Sequence, residues 1–184
     1  MPYRVSFDEY SEKWMDLSYQ AQTIRANMLN CRLSDVVEID EYDAIPPGDY
    51  RNQIVRKRIG QVFFREAILR AYNNKCCITG INQTDLLIAS HIKPWSVCDI
   101  QTEGTNPSNG LCLNAFHDKA FDKGLITLDK KFCVIVSNRI KDAAMDLATR
   151  EWFMSYNKTQ INLPDKFLPD RRFIEYHNDY VFMK

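Results

Sequence analysis

No apolar run in the 184 residues approaches the roughly 20 needed to cross a bilayer. The N-terminal MPYRVSFDEYSEKW also lacks the basic-then-apolar order of a signal peptide, so a cytoplasmic protein with no membrane partner is the expectation. The six cysteines include no C-x-x-C pair, which removes the usual ligand spacing of structural zinc, and structural zinc is not expected. Cys76 and Cys77 are adjacent and the others stand singly in apolar surroundings such as GLCL and KFCVIV. That pattern reads as buried reduced thiols rather than a disulfide scaffold. Internal repeats and low-complexity tracts are missing, and the formal net charge is zero.

The charge that is present is unevenly spread. Residues 1–50 carry four basic and ten acidic side chains, residues 51–75 seven basic and one acidic, and residues 76–184 thirteen of each. The basic stretch holds Arg51, Arg56, Lys57, Arg58, Arg65 and Arg70. Such a cluster can contact phosphates or simply form the solvated face of a helix.

Periodicity supplies the elements. Residues 7–29 read as an amphipathic helix with Trp14, Leu17, Ala21, Ile24 and Met28 at three- and four-residue steps. Residues 33–50 turn acidic and end in Pro46-Pro47-Gly48, a linker or an extended arm. A second helix is expected over 51–72, its stripe formed by Val55, Ile59, Val62, Phe63, Ala67, Ile68 and Ala71. A strand follows over 86–92, ending at His91. Next come a long loop over 93–109, of a length that is often functional, and a second strand at 111–113. Asn114 suits an N-cap, 115–122 a short helix and Gly124 its C′ residue. LITLD and FCVIVS around Lys130-Lys131 form a hairpin, and helices near 142–156 and 170–180 complete the chain.

Strand, loop, strand and short helix, with a histidine ending the first strand and acids on the helix, is a compact frame for one divalent ion facing one base. The residues Ser90-His91-Ile92 with Pro94-Trp95, Asn109-Gly110-Leu111 with Leu113, and His117-Asp118 with Phe121-Asp122-Lys123-Gly124 resemble the HNH (ββα-metal) endonuclease family. The flanks RKRIGQVFFREAILRAYNNKCCITG and DRRFIEYHNDYVF resemble restriction-type members. The resemblance implies an α+β fold, with a ββα-metal core, flanking helices and a following hairpin. It spans 51–184 with its core at 76–137, behind an N-terminal helix and acidic linker over 1–50.

The resemblance also implies roles. His91 matches the general base, and an imidazole titrating near neutrality suits that task. Asn109 matches the asparagine that ties the long loop to the strand of the base. Family members commonly show His-x-x-Phe-Asp, whereas this chain has His117-Asp118-Lys-Ala-Phe-Asp122. Asp118 stands about 40° around a helix from Asp122 and His117 about 140° away, so helical geometry favours Asp118 with Asp122 as ligands. His117 stays a candidate as ligand or phosphate contact. Ser90 occupies a place where several subfamilies put a ligand, and an oxygen-rich set suits Mg²⁺ or Mn²⁺. Lys93 is a further phosphate candidate, whereas Trp95, Phe121 and His177 read as structural. The function implied is a metal-dependent DNA endonuclease of restriction or defence type. Its alternatives are a non-specific toxin or repair nuclease, and a catalytically silent scaffold that binds DNA or a protein. Residues 1–50 are the candidate surface for a homodimer or a protein partner.

Overall fold

A computed structural model of the chain describes residues 13–37 and 47–184; residues 7–12 of the first expected helix and 38–46 of the acidic linker lie outside it. The chain divides into two compact units, Met1–Glu66 with Cys98–Asn106, and Ala67–Val97 with Pro107–Lys184. Among the described residues no helix is long and apolar enough to cross a membrane.

The first unit is helical. α1 spans Trp14–Leu29, α2 Leu33–Val36 and α3 Asp49–Ala71, the last turn of α3 belonging to the second unit. α1 stops where Asn30 turns left-handed at φ 52°, its amide returning to the carbonyls of Ala26 and Asn27. The face that α1 buries is Trp14, Met15, Ser18, Gln22 and Ala26, which corrects the expected stripe beyond Trp14; Met28 is 81% exposed. Apolar periodicity missed it because small Ser18 and Ala26 serve close packing, and the Ser18 hydroxyl satisfies itself on the Met15 carbonyl at 2.7 Å. The same closeness explains Gly60 on α3. A β-carbon there would meet Thr105 Cγ2 at 2.8 Å and Met15 Cε at 3.0 Å, so glycine's cost to the helix, about 1 kcal/mol, permits the approach. α3 buries Phe64 and Leu69 as well as Ile59, Ile68 and Ala71, with Val55, Val62 and Phe63 only half-buried.

In the second unit, β1 (Leu87–His91) pairs antiparallel with β2 (Gly110–Asn114), setting Ser90 opposite Leu111 and His91 opposite Gly110. Every residue of β2 is buried. α4 (Ala115–Asp122) follows directly, its first amides at Phe116 and His117 capped by Asn114 Oδ1. It ends in a Schellman closure: Gly124 N–H donates to Phe121 O and Leu125 N–H to Ala120 O, both at 2.8 Å, with Gly124 at φ 64°. A β-carbon at Gly124 would strike the Val181 carbonyl, so glycine also admits the C-terminal segment against α4. β3 (Ile126–Leu128) and β4 (Val134–Val136) form the hairpin. The helix expected over 142–156 is instead α5 (Asn138–Lys141), capped by Ser137, and α6 (Leu147–Met154), capped by Asp146. Each capping side chain accepts amides of its own helix and so fixes two separate starts. α7 spans Arg171–Tyr180 from its cap at Asp170. The architecture is α+β with a ββα core. All six cysteines are free thiols, with Cys76, Cys77 and Cys112 buried.

Candidate active site

β1 brings Ser90 and His91 in succession to the ββα core. His91 is half-buried at the strand end, and the Trp95 indole meets its ring edge-on, centroids 5.4 Å apart at 81°. That contact restricts the imidazole just past the strand. Asn109, 0% exposed, fixes the next residues. Lys93 N–H donates to Asn109 Oδ1 at 2.8 Å, Asn109 Nδ2 donates to Lys93 O at 3.2 Å, and Ile92 N–H donates to the Asn109 carbonyl at 2.9 Å. One asparagine thus satisfies the backbone leaving β1 and the far end of the long loop together.

On α4, Asp118 and Asp122 lie four residues apart and share one side of the helix. Burial pushes the Asp118 carboxyl above the ordinary carboxylate range, and the charge of Asp122 adds to the push; Ser90 and Lys119 oppose it. Asp122 is exposed at the helix end, yet the protein mass around its carboxyl raises it too, against Lys119 and Lys123. The Ser90 side chain is buried and its Oγ makes no hydrogen bond within ordinary limits. It still lies near enough to Asp118 to favour the ionised carboxyl.

Two carboxylates strained towards protonation and an orphaned buried hydroxyl form a donor set that a hard cation fits, since a divalent ion would relieve the repulsion and engage the hydroxyl. Among the described residues no three His, Cys, Asp or Glu side chains gather as a complete metal cage.

The structure does not bring His117 to this pair. Its ring is 1% exposed, with Nε2 2.9 Å from the Trp152 carbonyl and Nδ1 2.9 Å from Asn114 Nδ2. A carbonyl only accepts, so Nε2 carries the proton and Nδ1 accepts from the amide. Trp152 stacks on the ring at 6.2 Å, with Phe153 and Tyr156 edge-on. Burial lowers its pKa against the Trp152 bond, so the imidazole is a neutral strut between α4 and α6. His177 does similar work from α7. It stacks on Phe121 at 3.8 Å, its Nε2–H donates to the Phe121 carbonyl at 3.1 Å, and burial lowers it to about 4.

The basic residues are divided in their commitments. Arg56 pairs with Asp16 at 3.0 Å and Arg58 Nε donates to the Val37 carbonyl at 3.1 Å. Arg51 is half-buried, while Lys57, Arg65 and Arg70 lie exposed on α3. The Lys93 ammonium sits 5.3 Å over the Tyr176 ring, a contact that nothing local in the sequence announces across so long a separation.

Residues 76–129 match the family model described as HNH endonuclease. No curated protein matches the chain. One similar solved structure is a modification-dependent TagI restriction endonuclease, 17% identical over 64% of this chain and 37% of that one, with a TM-score of 0.39; the chain therefore spans little more than a third of that protein's length. The match to the HNH endonuclease model thus falls on residues 76–129, the stretch in which β1, β2 and α4 assemble.

Proposed function

We propose that the chain is a divalent-metal-dependent DNA endonuclease in which His91 is the general base and Asp118 and Asp122 are the metal ligands. The observation that supports this most is the raised carboxylate pair on α4 beside the orphaned Ser90 hydroxyl, one residue before His91.

In this reading His91 takes the proton from a water that attacks the scissile phosphorus; Trp95 and Asn109 keep the imidazole and the chain after it in place for that transfer. A bound Mg²⁺ or Mn²⁺ would supply charge stabilisation at the phosphate and at the departing 3′ oxygen. The products are a 5′-phosphate and a 3′-hydroxyl. Burial raises both carboxyls, and a bound cation would favour their ionised form. His117 supports α4 from within rather than joining the chemistry. Lys93, Arg51, Arg56, Lys57, Arg58, Arg65 and Arg70 are the candidate backbone contacts that position the duplex without reading sequence, with Arg56 giving up its pair with Asp16 and Arg58 its bond to the Val37 carbonyl. We assign residues 51–184 to the nuclease, with 76–137 as its core, residues 1–50 to an arm for a partner or second copy, and the biological role to restriction or defence.

A second reading, a silent scaffold that binds DNA or a protein, draws on one specific observation: two carboxylates and a serine are a sparse donor set. Plasmid nicking separates the readings. Supercoiled DNA incubated with the full chain is expected to be nicked with Mg²⁺ or Mn²⁺ and spared with EDTA. Protein inert with every divalent metal overturns the endonuclease reading.

A further inference from the structure

The nuclease reading leaves α7 without a task, although two consecutive residues of this helix reach both halves of the ββα core. His177 donates to the Phe121 carbonyl in the last turn of α4, the helix that bears Asp118 and Asp122. Tyr176 lies with its ring under the Lys93 ammonium, 5.3 Å from centroid to Nζ. Lys93 is two residues past His91, and its backbone is held at both N–H and C=O by Asn109. The cation is thus fixed at its root by one buried amide and at its tip by one aromatic face. Tyr176 is itself held against Tyr180, ring centroids 4.7 Å apart, so the platform is not a loosely rotating side chain.

A lysine ammonium is a strongly hydrated point charge on a stem of four rotatable bonds, and most of that freedom is lost when it engages a phosphate. A ring quadrupole that gathers the ammonium in advance reduces this loss. Resting on the endonuclease reading above, we infer that Tyr176 is a positioning residue for the reaction: its ring holds the Lys93 ammonium, next to the general base, ready for a phosphate of the DNA backbone. Sequence-independent contact of this kind sets the register of the duplex in the site. The class of ligand is a nucleic-acid phosphodiester, and Lys93 is the group that touches it.

The test is a double-mutant cycle on the full chain, with DNA affinity and single-turnover cleavage read at several salt concentrations. Lys93→Met keeps an apolar stem and removes the charge, and Tyr176→Leu removes the ring. The expected results are a drop of roughly 2- to 5-fold in affinity and in cleavage for Tyr176→Leu, the size of a cation–π contact, with Tyr176→Phe restoring both. Lys93→Met is expected to lower the salt slope of binding by about 0.9, one phosphate contact, and Tyr176→Leu to add nothing in the Lys93→Met background. Thermal melting checks that each variant is folded. If Tyr176→Leu melts early, Tyr176→Met, which keeps the bulk and removes the ring, takes its place in the cycle with Lys93→Met. An equal effect of Tyr176→Leu with and without Lys93, or an unchanged salt slope in Lys93→Met, overturns the inference while wild-type cleavage keeps the nuclease reading intact. A gain in affinity for Tyr176→Leu overturns it as well, since the ring would then be sequestering the ammonium. Wild-type protein that neither cuts nor binds DNA removes the nuclease reading and this inference together.

Discussion

Replacing Asn109 by alanine deletes the side chain that carries the join between β1 and the long loop. Two hydrogen bonds go, the one from Lys93 N–H at 2.8 Å and the one to Lys93 O at 3.2 Å, while the backbone bond from Ile92 N–H to the residue-109 carbonyl remains. Each lost bond is worth about 1 kcal/mol net, and a buried backbone group left without a partner costs about 1–3 kcal/mol. Lys93 is half-buried, so water can partly repair its N–H and C=O, and the expected loss is about 2–3 kcal/mol. For a chain of this size that corresponds to a melting shift of roughly 4–12 °C. Asn109→Asp separates the two bonds. It retains an acceptor for Lys93 N–H but turns a carboxylate oxygen towards the Lys93 carbonyl, so it should be as destabilising as alanine at neutral pH and milder once protonated. Thermal melting and urea unfolding measure the loss, and single-turnover cleavage measures its consequence at His91, two residues from Lys93. Asn109→Ala protein that melts within about 1 °C of wild type and cleaves at the wild-type rate would refute the bracing role.

Two further outcomes follow from the buried charges. His117 and His177 both have folded pKa values below the unfolded 6.5, the latter about 4. Between pH 6.5 and about 4 the unfolded chain therefore binds more protons than the folded one, and stability falls as pH drops through that window, by about 3 kcal/mol from His177 alone. Urea unfolding at pH 7 and pH 4.5 measures this fall, and an unchanged midpoint would contradict the burial of both rings. Asp118 shows the opposite case: its folded pKa is raised, so its ionised form opposes folding at neutral pH in the absence of metal. Asp118→Asn is then expected to be at least as stable as wild type without metal and to lose Mn²⁺ affinity, measured by calorimetric titration. A less stable, metal-competent Asp118→Asn would contradict its assignment as a ligand.

Much of the core could be read from local signals. Asn114 offers an acceptor to the first amides of α4, and Gly124 can turn left-handed after it, so both ends of that helix are written in adjacent residues. The short apolar run of β1 and the Asn-Gly that opens β2 are equally local. The buried face of α1 was not readable in this way, because Ser18 and Gln22 lie inside while Leu17 and Ile24 stay half-exposed, a choice made by close packing rather than hydropathy. The place of His117 depends on a carbonyl 35 residues away, and that of Lys93 on Tyr176 in the last helix. Neither partner leaves a trace near the residue it governs. Geometry on an ideal helix separated His117 from Asp122 but could not say that its ring would be enclosed by Trp152, Phe153 and Tyr156.

The most direct measurement is single-turnover cleavage of a labelled duplex by wild type and His91→Ala in Mn²⁺, with DNA and metal binding checked separately. A general base contributes about 10²- to 10⁴-fold, so His91→Ala is predicted to bind DNA and Mn²⁺ as wild type does and to cut at least about 100-fold more slowly. His91→Ala that cuts at the wild-type rate would contradict the assignment of the base and with it the mechanism.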